Sequence, residues 1–208
     1  MVSEVKVYFE GCRTGANSRK AKIEARMAFE KLAIKLGLTN KPRFIPCGSR
    51  SSAFDDFCSA LSVAKEGTLP LLLVDSEAPV THPTCWEHLK NRPGDGWDKP
   101  AGAEEKHVYL MVECMENWFI ADAKALENFY KNDDFLPKNI PARKDVEHIG
   151  KDEVFTALEA ATARCKRKGQ YHKGRHSWKL LALLDPETIS KKSPHAKRFF
   201  DFLKELCS

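Results

Sequence analysis

Residues 69–77 read LPLLLVDSE. A half-buried surface strand alternates apolar and polar side chains, but here every position from Leu69 to Val74 is apolar. The run is too short for a helix of ordinary length. It fits a central strand of a parallel sheet, covered on both faces. It then stops at two carboxylates, Asp75 and Glu77, with Ser76 between them. A buried strand ending in charge constrains both the fold and the place where chemistry is to be sought.

The flanking sequence supplies the rest of the sheet. Val5, Val7 and Phe9 alternate with Lys6, Tyr8 and Glu10, which predicts a first strand closing at Glu10-Gly11. Ala25, Phe29, Leu32 and Leu36 recur at helical spacing. KPRFIPCGS then reads as a second strand, and Phe54, Phe57, Cys58, Leu61 and Ala64 as the stripe of a second helix. A fourth strand, HVYLMVECM, leads into the helical ENWFIADAKALENFY. Connections long enough for helical crossovers predict parallel strands. The expected fold is α/β and Rossmann-like: a mainly parallel sheet of about four strands flanked by helices.

Between the third and fourth strands lies a long insertion, residues 78–106, carrying Trp86, Trp97 and a short helix around WEHLK. The two tryptophans either stack on bases or pin the insertion to the domain, and pinning is the simpler role. Residues 1–131 form the expected α/β core. Residues 132–208 form a helical C-terminal extension packed on it, with helices over 151–167, 176–184 and 194–206.

Seven scattered cysteines without a Cys-x-x-Cys spacing argue against a disulfide framework and a zinc site, and fit a reducing, cytoplasmic setting. No apolar run approaches the ~20 residues of a membrane span, so no membrane partner is expected, nor is a secretory signal evident. A homo-oligomer is compatible with the composition.

Charge is concentrated in two places. In open parallel sheets, ligands bind outside the carboxyl ends of the strands. Glu10, Asp75 and Glu77 fall at such ends, and Glu113 and Glu116 lie at the exit of the fourth strand. Gathered carboxylates repel one another unless a cation joins them, and Mg²⁺ (or Mn²⁺) prefers one or two carboxylates, waters and a phosphate. Glu116 also has a bland reading, as an acid favoured in a first helical turn. In extended geometry, Asp75 and Glu77 point to one side. The second concentration is RCKRKGQYHKGRH, residues 164–176, basic throughout and without an acid. It is either a solvated loop or a contact for nucleic-acid phosphates. His172, Lys173 and Arg175 are its best phosphate ligands, and His176 is a candidate general acid, against the alternative of a helix-terminal residue without chemistry. Arg13, Ser49 and Arg50 follow the first and second strands and are further candidates for phosphate or nucleic-acid binding.

A strand ending in Glu-Gly, VYFEG, with a later strand ending in an acid-x-acid pair, LLLVDSE, resembles the Toprim domain, the metal-binding catalytic fold of topoisomerases, primases and overcoming-lysogenization-defect nucleases. Together with CGSRSSAFDDFC, WEHL, VYLMVECMENWFIAD and YHKGRHSWKLLALLDP, these segments resemble a bacterial family of Toprim-like proteins known only as a domain of unknown function. The resemblance implies that Glu10 has an acid/base or metal role and that Asp75 and Glu77 are metal ligands. Glu77 stands where an aspartate is usual. It further implies a Mg²⁺-dependent nuclease acting on DNA or RNA, with an ATPase partner of the ABC or AAA type in anti-phage defence. The alternative is a non-catalytic subunit that binds nucleic acid or docks the ATPase. A phosphatase or nucleotide-binding enzyme ranks last, because the chain has no Walker-type loop.

Overall fold

The computed structural model describes residues 2–11 and 18–208, so Arg13 lies outside the described residues. Four parallel strands form one sheet in the order β2-β1-β3-β4, with β1 Glu4–Glu10, β2 Arg43–Gly48, β3 Thr68–Asp75 and β4 Val108–Met111. The expected α/β, Rossmann-like architecture is present. In register, Glu10 lies opposite Gly48 and Asp75 opposite Met111, so the strand ends come level at one rim.

The apolar run of β3 divides between two faces, as a pleated strand must. Leu72 and Val74 join Leu110 and Val112 under Ala53 and Phe57 of α2 (Arg50–Ser62) and Trp86 and Leu89 of α3 (Cys85–Asn91). Leu71 and Leu73 join Val7, Phe9 and Tyr109 on the other face. There they meet α1 (Ser18–Lys35) and the helices that follow β4. Those are α4 (Glu116–Ala121), α5 (Ala123–Phe129), α6 (Lys151–Thr162), α7 (Lys173–Leu181), α8 (Pro186–Ser190) and α9 (Pro194–Cys207). Residues of α6, α7 and α9, such as Leu158, Leu180 and Phe199, belong to the same apolar cluster as the strands. Tyr109 of β4 meets the Phe199 ring at 5.1 Å, and Trp118 of α4 meets Phe200 at 5.4 Å.

Several elements differ from the sequence expectation. Strand β4 ends at Met111, well before Met115. The helical segment after it breaks at Asp122, whose Oδ1 accepts the Ala125 N–H and caps α5, while its Oδ2 accepts the Asp185 N–H at 2.8 Å. Helix α6 ends at Thr162, whose hydroxyl donates back to Leu158 O and accepts the Tyr171 N–H. Helix α7 starts at Lys173 rather than near 176, because its first turn is polar and leaves no apolar periodicity to read. The insertion is pinned through Trp97, stacked on Phe54 at 4.3 Å, and through buried Trp86, whose ring lies 6.1 Å from that of Phe57 and whose Nε1–H closes the insertion on itself by donating to Glu104 O at 3.0 Å. Among the described residues no helix is long and apolar enough to cross a membrane.

Candidate functional site at the carboxyl end of the sheet

The rim where β1 and β3 end collects six carboxylates and three basic side chains from several elements. Glu10 is the last residue of β1, and its Oε1 accepts the Asp75 N–H at 2.7 Å, tying the two strand ends together. The same oxygen accepts from Arg50 Nη1 at 3.0 Å. Arg50 is the first residue of α2, behind Ser49, whose hydroxyl caps the helix by accepting the Ser52 N–H. The remaining donors of Arg50 grip Asp95 of the insertion as a fork, at 2.8 and 2.7 Å, and reach Asp75 O. Its guanidinium lies 5.0 Å from the Trp97 ring centroid. Arg50 is therefore spent on protein groups, and it fixes the insertion to the sheet rim.

Asp75 is buried at the end of β3. Its Oδ1 accepts the Met115 N–H at 2.8 Å, and its Oδ2 lies 3.9 Å from Lys173 Nζ. Glu116, in the first turn of α4, is wholly buried. Its Oε1 accepts from Tyr171 Oη at 3.0 Å and Ser177 Oγ at 3.2 Å. Its Oε2 has no hydrogen-bond partner and lies 3.5 Å from the same Lys173 Nζ. Asp75 and Glu116 thus share one ammonium. Helix α4 is held in place by its own buried Asn117, which donates to Val146 O and Ile149 O and accepts the Cys114 N–H.

Glu77 departs from the extended geometry that would align it with Asp75. The strand has ended, and Glu77 adopts φ 62°, the left-handed region that a non-glycine residue enters at some cost. Its carboxylate pairs with Lys151, the first residue of α6. Glu113 accepts the Lys151 N–H at 2.9 Å and so caps the start of that helix. Among the described residues, no three His, Cys, Asp or Glu side chains are grouped so as to hold one metal ion. The carboxylates are neighbours, but they divide among three cations: Glu10 and Asp95 on Arg50, Glu77 on Lys151, and Asp75 and Glu116 on Lys173.

The electrostatics follow from burial. Burial pushes the Asp75 carboxyl well above its ordinary range; Glu10, Glu116 and Glu77 add to this, and Lys173 opposes it. Burial also raises Glu10, against the pull of Arg50. For Glu77 the order reverses: burial would raise it, but the bond from Lys151 wins and the carboxyl is lowered. Burial would lower Lys173, yet Glu116 and Asp75 override it and raise it.

Of the basic segment, His172 and Arg175 are exposed at the start of α7, and Lys173 is half-exposed beside the carboxylates. His176 is buried. Its Nδ1 accepts the His172 N–H at 3.1 Å, and its ring packs among Phe129, Tyr130 and Tyr171. Burial lowers its pKa, and no carboxylate is among its hydrogen-bond or ring partners. Upstream, the loop wraps Asp133, whose carboxylate accepts the backbone N–H groups of Lys166, Arg167 and Lys168 and leaves their side chains exposed. Sequence reasoning missed Lys151, Asp95, Tyr171, Ser177 and Asn117. The Asp-Gly turn of the insertion marked Asp95 only as a loop residue, and nothing local marked the others.

A family model described as a domain of unknown function, DUF4276, matches residues 12–204, and the chain belongs to that family. No curated protein and no solved structure matches it.

Proposed function

We propose that this chain carries out divalent-cation-dependent phosphodiester cleavage on nucleic acid at the Asp75–Glu116 rim. One observation carries the reading: two buried carboxylates share a single half-exposed lysine, and one oxygen, Glu116 Oε2, has no hydrogen bond. An unsatisfied buried carboxylate oxygen is costly for stability, so its retention at a sheet rim points to a ligand. The donor set fits Mg²⁺ or Mn²⁺, which take one or two protein carboxylates and complete their shells with water and phosphate oxygens. Asp75 and Glu116 would hold the ion, with Glu10 beside them; when bound, it supplies polarisation of the phosphate and activation of water. The chain's own residues do the rest. Arg50 fixes the two strand ends. Tyr171 and Ser177 orient Glu116. Lys173, His172, Arg175 and the loop lysines bind the phosphate backbone, Arg in bidentate fashion and Lys as point charges.

The finer parts of the proposal, a Toprim relationship through Glu10, Asp75 and Glu77, an ATPase partner and a role in anti-phage defence, rest on the resemblance of the strand-end motifs. A second reading, a non-catalytic nucleic-acid- or ATPase-binding subunit, is favoured by the separate pairing of Glu10 with Arg50 and of Glu77 with Lys151. Incubating plasmid, linear DNA and structured RNA with the protein and Mn²⁺ separates the two. Cleavage by wild type that is lost in Asp75→Asn and Glu116→Gln supports the nuclease. Intact nucleic acid that is nonetheless bound equally by all three proteins overturns it in favour of the second reading.

A further inference from the structure

We propose that Lys173 is an exchangeable counter-cation: its ammonium occupies the Asp75–Glu116 site when no metal is bound, and a divalent ion displaces it outward toward substrate phosphate. This rests on the metal reading above and adds a regulatory element to it.

The site is built in a way that a plain ion pair does not require. Each carboxylate spends one oxygen on being positioned and offers the other. Asp75 Oδ1 is held by the Met115 N–H, and Oδ2 faces Lys173. Glu116 Oε1 is held by Tyr171 and Ser177, and Oε2 faces Lys173 without a hydrogen bond. Outer partners that fix the orientation of a carboxylate are a common feature of metal centres. Lys173 meets both free oxygens only at ion-pair distance, 3.5 and 3.9 Å. One unit of positive charge faces two of negative, and a divalent ion would close the balance.

The lysine is also the cation best able to leave. Side-chain exposure is 13% for Arg50, 30% for Lys151 and 49% for Lys173. Arg50 makes bonds to Asp95, Glu10 and Asp75 O that departure would break. Lys151 hydrogen-bonds Glu77. Lys173 sits at the first position of α7, between exposed His172 and Gly174, with its ammonium 5.7 Å from the Phe155 ring centroid. Swinging outward empties no core position, and it adds a free ammonium to a surface that already presents His172 and Arg175.

The test is Mn²⁺ binding, by calorimetry on the full chain, to wild type, Lys173→Met and the Asp75→Asn/Glu116→Gln double variant. The exchange predicts that Lys173→Met binds about tenfold tighter than wild type or better, and that the double variant does not bind. Equal or weaker binding by folded Lys173→Met overturns the exchange while the metal reading stands. No Mn²⁺ binding by either wild type or Lys173→Met overturns both. A second measurement needs no charge removal: wild type is reductively methylated with a carbon-13 label, and the Lys173 methyl resonance is followed during Mg²⁺ titration. A saturable shift supports displacement. An unmoved resonance in protein that binds Mn²⁺ refutes it.

Discussion

Replacing Asp75 with asparagine should stabilise the metal-free protein at neutral pH. Asp75 is 4% exposed, and its charge is disfavoured by burial and by its carboxylate neighbours. An amide keeps the oxygen that accepts the Met115 N–H. What it loses is the attraction to half-exposed Lys173, of the size of a surface pair, under about 1 kcal/mol. What it removes is a buried charge among like charges. Relieving such functional-site cost commonly stabilises by about 0.5–2 kcal/mol, which for a chain of this size is a rise of roughly 2–6 °C in Tm. The pH dependence fixes the sign independently. The folded-state pKa of Asp75 lies above its ordinary value of 3.8, so the folded state holds a proton that the unfolded state releases between the two values. Wild-type stability therefore falls as pH rises through that window, and Glu10 acts in the same direction. The asparagine variant lacks the Asp75 contribution. Its advantage should be close to zero near about pH 4 and grow toward neutrality. Urea unfolding of both proteins across this range, with a chelator present, reads the difference directly. Adding Mn²⁺ should stabilise wild type and leave the variant unchanged. A natively folded variant that is less stable than wild type at neutral pH by more than about 1 kcal/mol would refute the reasoning, because Asp75 would then be fully compensated by its present partners.

Gly11→Ala should cost roughly 2–4 kcal/mol in urea unfolding: the backbone there has φ 134°, and an added Cβ would come within 2.6 Å of the Trp178 ring. An unchanged midpoint would mean that the β1 exit and α7 are not in contact. Asn117→Ala leaves Val146 O, Ile149 O and the Cys114 N–H without their partner, and should cost about 2–4 kcal/mol by the same assay; a loss under about 0.5 kcal/mol would show that these groups find other partners. Asp133→Ala removes the acceptor that shapes the basic loop, so amide hydrogen exchange at Lys166 and Lys168 should accelerate by about tenfold or more while α9 stays protected. Equal exchange in the two proteins would show that the loop holds its form without Asp133.

The parts of the fold readable in sequence were those with a regular burial pattern. The alternation in β1 and the stripes of α1, α2 and α9 recur every two or about 3.6 residues, and the unbroken run of β3 reflects burial on both faces. The place where the strands end was readable too, since a buried strand must leave the core somewhere and Asp75 marks the spot. What sequence could not supply is who faces whom. The bond from Tyr171 to Glu116 spans 55 residues, and the pair of Lys151 with Glu77 spans 74. Lys151 and Tyr171 carry no local mark of being at the rim. Glu77 was misplaced in geometry for a local reason: the two-residue alternation holds only while the strand lasts, and the strand stops at Asp75. Arg50 looked like a phosphate ligand because it follows a strand end. Its partner Asp95 arrives from the insertion, which has no periodicity to place it.

The three cations at the rim are not equivalent, and their differences bear on what the rim is for. If the charges served stability alone, the economical arrangement would be the one around Arg50, where both Asp95 oxygens and Glu10 Oε1 meet a donor at hydrogen-bond distance in a shielded setting. Around Lys173 the reverse holds: each of two carboxylates is held through one oxygen, one oxygen is left without a hydrogen bond, and the counter-charge is half-exposed. Burying charge with incomplete pairing is destabilising compared with an apolar replacement. On the proposed reading, Arg50 and Lys151 belong to the frame that sets the distance between strand ends, and the Asp75–Glu116–Lys173 cluster is the part that changes state. The basic loop shaped by Asp133 leads directly to that cluster, through His172 into Lys173, so a phosphate backbone held along the loop would arrive beside the two aimed carboxylates.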